Sequence, residues 1–364
     1  MKDSGVSKER VYGARPGREA EVGGGLRPRD GGRRGDRRDG RHGGRQGGRQ
    51  GRRRGGRGEK AMVPEAEFTS YYGLPVLNPP VWKAADVAAY LFLGGLAGAG
   101  STMAAGAQLT GRPAAARALK ISSLAAIAGS TAALIHDLGR PARFYNMLRV
   151  MKPTSPMSMG SWILAAYGPA AGGAAVLDAA GRFPHLGGAA TAVAAALGPA
   201  VTVYTAVLIA DTAVPAWHEG RGELPFVFAG SATAAAAGMA LVAAPVRETG
   251  PMRTAAVSGA ALELAAARLL ERRAGLAAEP YKKGKAGRFM RAGEILSAAG
   301  TAGSVLLAGR GRAAAALSGA ALLAGSACTR FGIFYAGIQS AEDPKYTVVP
   351  QRERVDAGGA RATT

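Results

Sequence analysis

Three short stretches of the chain gather acid, imidazole and phenol groups where an apolar run meets a polar loop. Asp86 and Tyr90 stand four residues apart, so on a helix they share one face. His136 and Asp137 close one apolar run. Asp211 closes another, with His218 shortly after it and Tyr204 nearly two turns before it on the same face. A phenol can hydrogen-bond a carbonyl oxygen, and a carboxylate or imidazole can pass protons between such a site and water. A quinone headgroup needs a hydrogen-bond partner at each carbonyl and a proton route to solvent, and these residue types supply both. The bland account is that Trp and Tyr belong at the membrane–water boundary and that Arg and Lys anchor helix ends, which covers Trp162, Trp217 and Arg149. It covers Asp137 and Asp211 less well, because an ionisable group at membrane depth usually marks a functional path.

Other chemistries are excluded by what is missing. Cys328 is the one cysteine, which rules out an internal disulfide, a Cys-ligated iron–sulfur cluster and a thiolate zinc site. It sits among Ala, Gly and Leu as a small packing residue. The four histidines are His42, His136, His185 and His218. None lies inside an apolar run, and no two have the spacing to ligate a haem between helices. Redox chemistry must then come from a bound organic molecule or a partner, with no haem and no metal in this chain.

The elements that must position these groups are long apolar runs. Eight follow Trp82: 84–107, 118–135, 161–177, 188–210, 226–244, 255–270, 292–308 and 313–337. Each is dense in Ala and Gly and long enough, or nearly so, to cross a hydrocarbon core ~30 Å thick. The sixth is the weakest, being short and carrying Glu263 and Arg268. The expected fold is an all-α integral membrane protein of eight transmembrane helices. Within a bilayer helices associate by close packing of small residues, and GGLAGAGS places Gly94, Gly98 and Ser101 on roughly one face. Eight spans put both termini on one side, together with the loops holding His136–Arg143 and Asp211–His218. Together with the loop after the sixth run (268–291), those loops carry thirteen Lys and Arg against eight on the other side, which favours the motif side as cytoplasmic.

Before the apolar runs lies a segment of another kind. Residues 1–60 hold 19 Lys and Arg against 8 Asp and Glu, and the Arg/Gly repeats are too polar to bury a core. Residues 1–61 are expected to form a disordered tail. It has no interleaved aromatics to stack bases, so no specific nucleic-acid partner is expected. Met62 opens a more conventional N-terminus, and native translation is expected to begin there. The membrane domain then spans 62–354, with a flexible C-terminus at 355–364.

Several stretches together resemble the NrfD/polysulfide reductase membrane-subunit family. They are WKAADVAAYLFLGGLAGAGS (82–101), HDLGRPARFYNMLRV (136–150), SPMSMGSW (155–162), VLIADTAVPAWH (207–218), LPFVFAGSA (224–232) and TRFGIFYAGIQSAEDPKYTVVPQR (329–352). The resemblance runs from Tyr71 to Arg354. It implies two four-helix bundles, a quinone site near the motif-side surface, and electron exchange with a ferredoxin-like iron–sulfur subunit. That subunit normally sits beside a molybdopterin catalytic subunit or multihaem cytochromes. Aligned on Gly95–Gly98, the family's first-helix Asn and His fall near Asp86 and on Tyr90, so the polar character survives without the imidazole. The family's tyrosine before the end of the fourth helix is matched by Tyr204. The resemblance thus implies Tyr90, Tyr204 and Asp86 at the quinone, His136, Asp137 and Asp211 in proton transfer, and Arg140 and Arg143 in partner docking. The Gly/Ala/Arg-heavy composition points to the plasma membrane of a GC-rich bacterium, where menaquinone is the usual quinone.

Two other functions fit the same residues. A non-catalytic anchor would tether a redox complex without binding quinone. A secondary transporter would show midplane charges in broken helices, whereas here the ionisable groups gather at one edge.

Overall fold

The computed structural model describes residues 75–362, with side chains to residue 354. The arginine-rich tail and Met62 lie outside the described residues. Among those residues the chain is helical, with no strand. In order come α1 (Ala84–Leu109), α2 (Pro113–Asp137), α3 (Arg143–Met147), α4 (Pro156–Ala180), α5 (Pro184–Ala210), α6 (Pro215–Glu219), α7 (Leu224–Ala243), α8 (Gly250–Arg273), α9 (Gly284–Leu306), α10 (Arg312–Glu342) and α11 (Lys345–Ala362). The helical backbone thus continues through most of the C-terminal segment.

Helix starts follow local chemistry. Proline occupies the first turn of α2, α4, α5, α6, α7 and α8, where its missing N–H is not needed. Ser155 caps α4 by accepting from the Ser158 backbone N–H at 3.4 Å. Gly181, in the left-handed conformation at φ 62°, ends α4.

α1, α2, α4 and α5 pack in one closed ring, and α7, α8, α9 and α10 in a second; α1 and α5 touch α7, and α1 touches α10. Glycine permits the tightest crossings. A Cβ on Gly98 of α1 would lie 2.4 Å from the Gly198 carbonyl oxygen of α5, and one on Gly198 would lie as close to the Gly98 carbonyl. Gly238 of α7 and Gly319 of α10 cross in the same way, at 2.7 and 2.3 Å. Ser101, on the same stripe as Gly98, donates to the Tyr167 hydroxyl at 2.6 Å, and Tyr167 donates to the Ala97 carbonyl of α1 at 2.6 Å.

Among the described residues six helices are long and apolar enough to cross a membrane: α1, α2, α4, α5, α7 and α10. The two remaining long helices differ from the eight-span expectation for a visible reason. α8 carries Arg253, Glu263, Arg268, Glu271, Arg272 and Arg273, and α9 carries Lys285, Arg288, Arg291 and Glu294.

Candidate functional site

The ends of α1, α2, α5 and α10 that carry the chemistry-bearing loops converge. α6 provides the centre of that end. Trp217 of α6 is fully buried, its indole N–H donates to the Ile333 carbonyl at 2.8 Å, and its ring stacks on Trp82 with centroids 5.9 Å apart and planes at 14°. This corrects its assignment as a boundary anchor: the ring is a packing keystone, seated so closely on α10 that a Cβ on Gly337 would lie 1.9 Å from it. The Ala216 backbone N–H meets Ser340 at 3.2 Å, and the buried Tyr281 hydroxyl donates to the Ala216 carbonyl at 3.0 Å. Trp162, by contrast, is 37% exposed, as a boundary residue should be.

Within the first ring, Tyr90 of α1 and Tyr204 of α5 are both buried and their hydroxyls hydrogen-bond each other. The rings meet edge to face, 6.4 Å between centroids at 77°. The α1 backbone is held there by Ser130 of α2, whose hydroxyl donates to the Tyr90 carbonyl at 3.1 Å. Tyr204 fits because α4 offers Gly160 opposite it; a Cβ at that position would lie 2.6 Å from the ring. The Gly of SPMSMGSW is therefore the seat of the Tyr204 ring.

One turn of α1 before Tyr90, about 6 Å along the axis, Asp86 and His136 form a pair, Oδ2 to Nδ1 at 2.8 Å. Asp86 is largely enclosed, while His136 is 66% exposed, so the imidazole connects the carboxylate to water. Asp137 is not in that pair. It accepts from the Lys83 backbone N–H at 3.3 Å, joining the start of α1 to the end of α2. Asp211 ends α5 and is exposed, and among the described residues no hydrogen bond or ion pair links it to the other candidates. Arg140 is exposed, and so is Arg143, which donates to the Leu138 carbonyl at 3.0 Å. His218 is exposed and bonds Arg221 at 3.0 Å. The sequence-derived residues thus divide into a buried phenol pair, an acid–imidazole pair beside it, and surface groups around the same end.

Just beyond the first ring's site, the turn at Gly275–Tyr281 is tied down by charge. The Glu279 carboxylate accepts from Lys283 and, at 2.6 Å, from Lys345 of α11. These hydrogen bonds hold it well below the usual carboxylate range, at about 2.

The second ring holds a group that sequence reasoning passed over. Arg330 of α10 is wholly buried, donates to the Phe228 carbonyl at 2.9 Å and lies 3.7 Å over the Phe228 ring. Glu263 of α8 faces it electrostatically, its Oε1 accepting from Thr329 at 2.8 Å. The available signal was an acid and a base inside apolar runs: Glu263 was read only as weakening the sixth run, and Arg330 in the eighth was not weighed. Among the described residues no cluster of His, Cys, Asp and Glu could hold a metal ion.

The polysulfide reductase family of NrfD type matches residues 68–342, three quarters of the chain. The chain belongs to this family. No curated protein matches it. An NrfD-type chain is a multi-pass membrane subunit of a quinone-linked redox complex. Its motifs acquire physical roles in the structure. In this NrfD-type chain WKAADVAAY contributes Trp82, Asp86 and Tyr90, VLIADTAVPAWH contributes Trp217, and LPFVFAGSA and TRFGIFYAGIQ lock α7 to α10 through Phe228 and Arg330.

Proposed function

We propose that this chain is the subunit at which a membrane quinone exchanges electrons with an iron–sulfur partner, with protons moving at the motif end. The observation that carries it is the buried Tyr90–Tyr204 hydroxyl pair, one helical turn from the Asp86–His136 pair that reaches water. Two hydroxyls joined by one bond leave one O–H to donate to a quinone oxygen. Quinol oxidation releases two electrons and two protons, and quinone reduction consumes the same. Tyr90 and Tyr204 orient the headgroup oxygen, Asp86 holds a proton beside it, and exposed His136 trades that proton with solvent. Asp137 and Asp211 supply further acceptors on the same surface. The electrons pass to or from the cluster of a ferredoxin-like subunit, itself beside a molybdopterin or multihaem subunit. Exposed Arg140 and Arg143 are suited to dock that partner. Menaquinone in a bacterial plasma membrane is the expected substrate.

In the same reading all eight long helices span the bilayer. α8 and α9 do so despite their charges because each packs on an apolar span, α7 or α10, and Glu263 is turned inward. Charged residues of both helices also gather toward the motif end, where long side chains can reach water.

Gentle-detergent isolation with mass spectrometry and quinone extraction tests this. An iron–sulfur partner with stoichiometric quinone is expected, and Tyr204→Phe should lose quinone without losing the partner. A partner without quinone would leave only an anchor; a lone chain without quinone would favour transport.

A further inference from the structure

Between α8 and α9 lies a cavity of about 780 Å³, within the range of small-molecule pockets, roughly 300–1,000 Å³. It forms because the two helices pack mainly on α7 and α10 and only lightly on each other. Its flanks are apolar, with Val257, Ala260 and Leu264 facing Ala298 and Ala302. Its inner wall is not. Glu263, only 8% exposed, has Oε2 without a hydrogen-bond partner, and the hydroxyls of Ser297 and Thr301 are also without one. A buried oxygen left without a partner is destabilising, so three around one cavity point to an occupant.

The charged surroundings narrow its chemistry. Arg330 of α10 is the cation acting on Glu263. Ser231 of α7 lies beside the carboxyl, but its hydroxyl donates to Ser326 at 2.9 Å. Arg268 and Glu271 of α8 and Arg291 and Glu294 of α9 stand at the rim, where Arg268 is paired with both acids. An inner carboxyl disfavours an anionic headgroup. Water alone fits poorly: at ~30 Å³ each, about 25 molecules would need partners that alanine and leucine walls do not offer.

We propose that this cleft is a second site for a quinol-class molecule, a neutral hydroxyl-bearing ring with an apolar tail. The ring hydroxyl donates to Glu263 Oε2, Ser297 and Thr301 bond its other oxygen, and the tail lies between Val257 and Ala302 toward the bilayer. The ligand class rests on the quinone function proposed above; the site itself rests on the cavity and its unpartnered oxygens.

The test uses the purified full chain and 2-heptyl-4-hydroxyquinoline N-oxide, a fluorescent quinol analogue quenched on binding. Two molecules per chain are expected. Ala298→Trp, which fills the cleft, should remove one, and Glu263→Gln should weaken that one about tenfold, equivalent to ~1.4 kcal/mol. Tyr204→Phe should weaken the other. If neither cleft variant changes the titration, the cleft site is overturned. If the cleft variants act but Tyr204→Phe does not, the cleft stands and the tyrosine site falls. Misfolding of Ala298→Trp is bypassed by Ala298→Cys in a Cys328→Ser background. The analogue should slow maleimide labelling of that cysteine about tenfold, and an unchanged rate would also overturn the proposal.

Discussion

Tyr90 and Tyr204 are 114 positions apart, yet their hydroxyls share one hydrogen bond across the α1–α5 interface. The bond is possible because α1 and α5 cross on Gly98 and Gly198, and because Gly160 leaves room for the Tyr204 ring. Removing either hydroxyl leaves the other buried without its partner, which costs about 1–3 kcal/mol of stability. Tyr90→Phe and Tyr204→Phe should therefore each lower quinone-linked electron transfer at least about tenfold, corresponding to ~1.4 kcal/mol. Partner chains should still co-purify. Steady-state quinol oxidation beside size-exclusion profiles separates the two effects, and full turnover in both variants would remove the pair from the quinone site.

Much of this arrangement was legible in the sequence, and the illegible part has a physical pattern. Apolar runs announce helices, and a four-residue spacing places Asp86 and Tyr90 on one face whatever the fold. The family resemblance put Tyr90 and Tyr204 at one quinone, but their mutual hydrogen bond was not foreseen, because a contact between distant helices leaves no local signal. Trp217 was misplaced because a tryptophan beside a polar loop has the same sequence context whether it anchors at the boundary or fills a core. Arg330 went unweighed inside a family motif, and Glu263 was discounted, with Arg268, since hydropathy counts a charge against a span and cannot tell whether it faces inward. α8 and α9 fall short of the other spans for that same reason.

In the proposed function Asp86 and His136, paired at 2.8 Å with the imidazole exposed, carry protons between the phenol pair and water, so their loss should slow protons rather than abolish binding. Asp86→Asn should reduce turnover about tenfold or more, within the range of 10²–10⁴ typical of acid–base groups. His136→Ala should have a smaller effect, relieved by added imidazole, since solvent reaches that side chain. A solvent deuterium isotope effect on turnover, larger in Asp86→Asn than in the wild type, would confirm a proton step. An unchanged isotope effect and rate would reassign the pair to structure.

Trp217 and Gly337 are the tightest contact at this end of the molecule. Gly337→Ala forces a methyl group into the indole and should cost at least about 1–3 kcal/mol, the usual range for overpacking. Trp217→Ala should cost about 3–5 kcal/mol by leaving a cavity. Thermal unfolding in detergent measures both, and a melting point unchanged in Gly337→Ala would show that α6 is not wedged against α10.

Acid should loosen the turn before α9. Glu279 titrates at about 2 instead of its ordinary 4.5 because Lys283 and Lys345 donate to it. Its folded value is depressed, so its contribution is complete above pH ~4.5 and is lost as pH falls from there toward ~2. Protection factors, exchange rates referred to the intrinsic rate at each pH, should fall several-fold in 275–283 and at the start of α11 over that window. Glu279→Gln should show the low protection already at neutral pH and lose its pH dependence, and a window lying elsewhere would assign the change to another carboxyl.

Arg330 is wholly buried, with Glu263 as the acid acting on it, and its Nε and Nη1 have no partner among the described residues. Arg330→Met keeps the bulk and the stacking on Phe228 but strands the Glu263 carboxyl. Removing one of two buried charges that are not directly bonded is destabilising, by less than the ~3–5 kcal/mol of a broken buried ion pair. Glu263→Gln alone strands the guanidinium and should cost a similar amount, while the double variant removes both charges and should recover most of the loss. A coupling of at least ~1 kcal/mol in that double-mutant cycle, measured by unfolding in detergent, shows that the two charges stabilise each other. Strict additivity would mean that Arg330 is held by Phe228 alone, and that α8 is free to keep Glu263 for the occupant of the cleft.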